Sequence, residues 1–228
     1  MADPVKAFIE NTEEVDRLLQ LHEEQTGKAP GRRFGVEVLN KSSIVLLTAC
    51  WEAFIEDTAS SAFEFILDQT TDPAKLPKEV MKRVAKAVRE DKHDLRPWDL
   101  ASDGWRNVLR NYQRTMLHTH VSFFNTPKAG NVDALFEQLL GLDSMSENWT
   151  WTNMPAEKAK ERLAKYVELR GSIAHRVKSS QIVYKKTVTD YSDFATRLAV
   201  RTANVTRKYV RTAVGHFPWN EYTYGSFG

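Results

Sequence analysis

Apolar residues in this chain recur mostly three and four positions apart, the period of an amphipathic helix, and the two-residue alternation of a strand is scarce. The spacing predicts a first helix over about Pro4 to Gln25, with Asp3 and Pro4 supplying its N-cap and first turn. TGKAPGRRFG then reads as a loop. A long second helix follows over about Glu37 to Asp68, whose Ile44, Leu47, Trp51, Phe54, Ile55, Phe63 and Ile66 share one broad face. That is the pattern of the central helix of a bundle. A third helix is expected over about Pro77 to Lys92 and a fourth over about Asp103 to His118, parted by HDLRPWDLAS, whose proline breaks helical continuity. FFNTPKAGN reads as a loop into a short helix, Val132 to Leu140, stopped at Gly141. After the polar, tryptophan-bearing loop DSMSENWTWTNM, Pro155 opens a helix to about Lys178, and a last helix spans about Asp190 to Val214. QIVYKKTV is the one modest strand candidate. The segment 215–228 contains the aromatic tail FPWNEYTYGSFG, which is either docked or held out for a partner. No repeat and no low-complexity stretch interrupts the series. The expectation is an all-α fold, a multi-helix bundle with flanking helices, forming one domain over residues 1–228.

Composition narrows the class without naming a chemistry. The chain is 42% hydrophobic and 27% charged over 228 residues, as expected of a soluble globular protein able to bury a core. A net charge of +2 does not announce nucleic-acid binding, so any such role has to come from local basic patches. A single cysteine, Cys50, excludes an intramolecular disulfide framework and a multi-cysteine zinc site. The acidic opening MADPVKAFIENTEEVD lacks the apolar run of a secretory signal. The longest apolar stretch, IVLLTACWEAFI, is too short for a bilayer and carries Glu52. A cytoplasmic protein with no membrane partner is expected.

The chemistry concentrates in LRGSIAHR, Leu169 to Arg176. At about 100° per residue, Leu163, Tyr166, Val167, Leu169, Ile173, Ala174 and Val177 form an apolar face with Arg170 in its middle. A guanidinium cannot shed its charge, so this position demands a carboxylate, a phosphate or solvent access. His175 lies about 140° away, beside Glu168 and Gly171. Two readings are open. Arg170 is a buried cation bridged to an acid, with His175 idle on the surface. Alternatively the two work together in a cleft open to both, as facing clefts of a symmetric dimer would allow. Spacing does not choose, because an arginine with a histidine five or six residues on also occurs at Arg114/His120 and Arg211/His216.

Glu52, set next to Trp51 in an apolar run, is the candidate partner for Arg170; Glu56, one turn on, is either a second or a solvated edge. His118 and His120 are the only close histidine pair, and no further ligands suggest themselves, so neither a metal site nor a cofactor is expected. Arg197, Arg201, Lys208 and Arg211 form a basic stripe suited to RNA phosphates, or a solvated face. Trp98, Trp105, Trp149, Trp151 and Trp219 are candidates for base stacking or for core anchors.

The helix AKERLAKYVELRGSIAHR resembles the signature helix of the HEPN superfamily, and the chain is similar to its RiboL-PSP-HEPN or MAE_28990-like group. Three more stretches carry the likeness in the right order. LTACWEAFIEDTAS resembles the long second helix, FFNTPKAGNVDALFEQLLGL the loop and short helix before the signature, and SENWTW the tryptophan-bearing linker, so the similarity covers about Gly35 to Lys178. The resemblance implies a helical bundle that dimerises and, in many members, a metal-independent endoribonuclease acting as a toxin or anti-phage effector or in RNA processing. It also implies RNA as substrate, a homodimer, and an antitoxin or defence-system protein as further partner. The alternative it leaves is a catalytically inactive module binding RNA, nucleotide or a protein. The motif arginine falls on Arg170 and the motif histidine on His175, the catalytic pair. One departure stands out: active relatives commonly carry a polar residue directly after the arginine, and this chain has Gly171.

Overall fold

The computed structural model describes residues 3–27, 35–123, 126–175 and 182–225. Among these, seven α-helices follow one another: α1 (Pro4–Thr26), α2 (Glu37–Gln69), α3 (Lys78–Glu90), α4 (Gly104–Phe123), α5 (Ala129–Leu140), α6 (Ala156–His175) and α7 (Lys185–Val214). Short 3-10 turns occupy Pro73–Lys75, Arg96–Leu100 and Met145–Asn148. No strand forms among the described residues beyond one isolated bridge between Trp151 and Met154. The fold is all-α.

The 33-residue α2 is the spine, and α1, α5, α6 and α7 all pack on it. Its apolar positions are spread round the helix rather than confined to a stripe, which is what a helix surrounded by others requires. Ile44, Leu47, Trp51, Ile55, Ala59 and Ala62 are fully buried. Among the described residues α2 is also the one helix long and apolar enough to cross a membrane by length and composition, but half of its most apolar window is buried in the bundle. Around it, α1 presents Val5, Phe8, Thr12 and Val15, with Phe8 edge-on to Phe54 at 5.5 Å between ring centroids. Helix α4 runs antiparallel to α2. Arg106 donates to the Leu67 and Thr70 carbonyls, Arg110 pairs with Glu64 and Asp68, and Gln113 reaches Ser60. The Arg106 fork therefore satisfies carbonyls at the C-terminal end of α2 that helix geometry leaves open.

The cap at Asp3 accepts from the Lys6 amide at 2.9 Å and opens α1 at Pro4. Gly141, at φ 73°, closes α5 in the left-handed conformation that glycine adopts without strain. Other bounds differ from expectation. Helix α3 is shorter, at Lys78–Glu90. Helix α4 continues to Phe123 because neither glycine nor proline follows Gly104 before Pro127. The short helix α5 begins three residues early, at Ala129. Residues 176–181, which include the expected end of the signature helix, lie outside the described residues.

No strand forms over residues 182–188, the described part of QIVYKKTV. Residues 182–184 are irregular and Lys185 already begins α7, five residues before the expected start. Its β-branched residues favour a strand locally, but a lone strand has no partner for its backbone groups. The buried series Val188, Tyr191, Ala195 and Leu198 continues the helical period through the segment instead.

Two aromatic anchors pack on the middle of α7, at Thr202 and Ala203. The Trp219 ring is buried, and its indole N–H donates to the Ala203 carbonyl at 3.2 Å. Asn204 exchanges two hydrogen bonds with the Tyr222 backbone, at 2.8 and 3.0 Å, and the Tyr222 hydroxyl donates to the Asp3 carboxylate. The described part of the aromatic tail is thus docked along α7 and tied to the cap of α1. At the other anchor, Trp149 is fully buried between α2 and α7.

Candidate functional site

Helix α6 is held on α2 through Ala159, Leu163 and Val167, buried at intervals of four. The next inward position on that ladder is Arg170, which is half-buried. Its guanidinium lies within electrostatic reach of Glu52 on α2 and of Tyr191 on α7, so it stands where three helices meet. Burial pushes the Glu52 carboxyl above the usual range, and the Arg170 charge pulls it part of the way back. Tyr191 is fully buried, shares a 3.1 Å hydrogen bond with Thr48 and stacks on Tyr166 at 4.0 Å. Burial pushes its phenol far up, which keeps a neutral hydroxyl beside the cation.

His175 is the last described residue of α6 and is exposed. On one helix its direction differs from that of Arg170 by about 140°, so within one chain the two side chains part. Ala174, placed on the apolar face by the spacing, is exposed, whereas Ile173 is buried. Glu168 is engaged by Lys128 at 2.8 Å, which ties the turn before α5 to α6. Trp51 reinforces that contact by donating to the Pro127 carbonyl at 3.2 Å. A side chain at Gly171 would meet no atom within 4 Å. No close contact within the chain calls for glycine there.

On α2, Glu56 and Asp57 continue the acidic edge that Glu52 begins. Burial raises both carboxyls, and the charges of Glu52 and Asp57 raise Glu56 further. Because the folded-state pKa lies above the unfolded one, ionised Glu56 costs stability once pH exceeds the raised value. The cost vanishes where both states are protonated. Glu56→Gln is therefore expected to stabilise the fold by less than about 1 kcal/mol near neutral pH, with the gain gone below about pH 4. Urea unfolding at the two pH values tests this; equal midpoint shifts at both would refute it.

The basic stripe on α7 is only partly open to solvent. The Arg197 guanidinium lies 3.7 Å over the Tyr224 ring, and Arg211 lies 4.3 Å over Phe217, a ring it shares with Arg207 at 3.5 Å. The tail thus occupies two of the four expected RNA contacts. Arg201 is exposed and donates to Thr150 at 3.2 Å, and Lys208 is exposed. Of the tryptophans, Trp105, Trp149 and Trp219 are buried, Trp151 is half-buried and Trp98 is 75% exposed. His118 is exposed, the His120 side chain lies outside the described residues, and no group of three metal-binding side chains lies together among the described residues.

Thr48, Tyr166, Tyr191 and Lys128, which surround Arg170 and α6, carry no functional signal in the sequence. Tyr166 reads in sequence only as part of an apolar face. Tyr191 and Thr48 carry no local motif, and their meeting depends on the packing of α7 against α2.

The chain belongs to the RiboL-PSP-HEPN family, which it matches over residues 6–207. The match reaches beyond the Gly35 to Lys178 span into α1 and most of α7. No curated protein and no solved structure matches the chain.

Proposed function

We propose that this protein is an endoribonuclease that needs no metal ion, working as a symmetric dimer with Arg170 and His175 as its catalytic pair. The observation that most supports this is the contrast between the two residues on α6. Arg170 interrupts the inward face beside Glu52, and His175 is exposed on the following turns. An imidazole changes charge near neutral pH and can move a proton, while a guanidinium forks onto phosphate oxygens. In the reaction the RNA 2′-oxygen bonds to the adjacent phosphorus and the bond to the 5′-oxygen breaks. The 2′-hydroxyl proton goes to an imidazole, and the departing 5′-oxygen receives one. The products are a 2′,3′-cyclic phosphate and a 5′-hydroxyl, with no change of oxidation state. Arg170 offsets the negative charge that grows on the phosphoryl oxygens. Base and acid stand on opposite sides of the phosphorus, so His175 and the partner's His175 divide the two tasks across the dimer axis.

In the cell this activity fits a toxin or an effector of prokaryotic anti-phage defence, or an RNA-processing enzyme, in the cytoplasm and restrained by an antitoxin or defence-system partner. Gly171 favours a second reading. Without a polar side chain after Arg170, the domain is a catalytically silent module binding RNA, nucleotide or protein.

Incubation of purified protein with RNA in EDTA decides between them. Fragments ending in cyclic phosphate are expected, together with a dimeric mass at micromolar concentration. RNA left whole, combined with harmless expression in a bacterial host, would sink the ribonuclease and leave the silent module.

A further inference from the structure

Two depressions lie along the seam between α6 and α7. One, of about 660 Å³, has Arg162, Lys165, Tyr166 and Ser172 in its walls. The other, of about 330 Å³, is bounded by Trp151, Arg162, Asp193 and Arg197. Arg162 belongs to both, so they form one trough. Its near end, at Ser172, is one helical turn before His175.

We propose that this trough carries single-stranded RNA, leading the substrate away from His175 along α6 and α7 toward Trp151. The inference rests on the ribonuclease reading for its direction, and on the trough's own chemistry for its ligand. Arg162 and Lys165 supply two cations along the path, and the Arg197 guanidinium at its far end is stacked on Tyr224. Of the three carboxylates in its walls, Glu168 is engaged by Lys128 at 2.8 Å and Asp190 by Lys186 at 3.1 Å; Asp193 is the third. Glu52, Glu56 and Asp57 lie on α2, outside the walls of both depressions, and their charge repels a phosphate chain there.

Aromatic rings line the same path. Trp151 and Tyr166 flank Phe194 at 6.0 and 5.9 Å, and both are half-exposed. The Arg162 guanidinium lies 4.8 Å over the Phe194 ring and donates to the Asp190 carbonyl at 3.0 Å, which fixes it between the two depressions. A cationic groove interleaved with aromatic rings is the general solution for an unpaired strand, whose bases are free to stack on side chains. A duplex keeps its bases inside and offers the rings nothing.

The test uses the full chain carrying His175→Ala, so that RNA is bound without being cut. Binding of a labelled single-stranded oligoribonucleotide, and of a duplex of equal length, is followed by fluorescence anisotropy across salt concentrations. Lys165 is exposed, so its replacement leaves the fold intact. Lys165→Ala is expected to weaken single-strand binding several-fold and to reduce the logarithmic salt slope by about 0.7. Trp151→Ala is expected to weaken it about tenfold with the slope unchanged. Single-strand binding indifferent to both changes, equal and equally sensitive binding of the duplex, or no RNA binding at low salt would each overturn the proposal. The two readings fail separately. Lys165-dependent binding by a wild-type chain that never cuts RNA removes the ribonuclease and keeps the trough. Cleavage that needs His175 but ignores Lys165 and Trp151 removes the trough and keeps the ribonuclease.

Discussion

Replacing His175 by alanine is expected to slow RNA cleavage by about 10²- to 10⁴-fold, the usual contribution of a positioned general acid or base. The unfolding transition should not move. His175 is exposed, so removing its ring opens no cavity and breaks no packing. Arg170→Ala should differ in this respect. Its guanidinium offsets part of the penalty that burial imposes on Glu52, and its loss leaves that half-buried carboxylate with less compensation. Cleavage and stability are therefore expected to fall together in Arg170→Ala, and cleavage alone in His175→Ala. Lysine at 170 keeps the charge but not the planar fork, so it should restore stability better than activity. Single-turnover cleavage of a short oligoribonucleotide, run beside thermal unfolding, separates the effects. Parental cleavage by His175→Ala would remove His175 from the mechanism.

The sequence carried the environment of Arg170 further than that of any other residue. A guanidinium centred on the apolar face of a helix needs an acid within reach, and Glu52 was selectable because it sits beside Trp51 in an otherwise apolar run. The two do lie in electrostatic reach. The limits of α1 and α2 were equally legible, because Asp3-Pro4 and the unbroken period of α2 are local signals. What escaped was anything that depends on a second element. Tyr191 is set against Arg170 by the packing of α7 on α2. The basic stripe on α7 has the right spacing for one face, yet spacing cannot reveal that Tyr224 and Phe217 fold back over Arg197 and Arg211. The segment 182–188 shows the same limit from the other side. Its β-branched residues describe a strand, but the buried period that continues from Val188 through Leu198 makes it helical from Lys185 onward.

Trp149→Ala is expected to cost about 3–5 kcal/mol, the range for emptying a buried aromatic site. In SENWTW the two tryptophans stand two apart and face opposite ways. Trp151 bridges to Met154 through a tight turn, at 3.0 and 2.9 Å, and remains half-exposed in the wall of the trough. Trp149 is fully buried. Its ring meets Trp51 of α2 edge-on at 5.8 Å, and its indole N–H donates to Thr202 of α7 at 3.0 Å. This one side chain therefore locks α2 to α7 a few residues before α6 begins, and so sets where the Arg170 helix starts. Trp149→Phe refills part of the ring volume but takes the donor from a buried Thr202 hydroxyl, so a smaller loss of about 1–3 kcal/mol is expected. Urea midpoints should rank parent, Trp149→Phe and Trp149→Ala in that order, with the slope of the transition unchanged. The same order should appear in RNA cleavage at temperatures near the transition of the weaker variant, because α6 cannot hold Arg170 against Glu52 once α2 and α7 separate. Equal midpoints for parent and Trp149→Ala would mean that the linker tryptophan does not hold the two helices together.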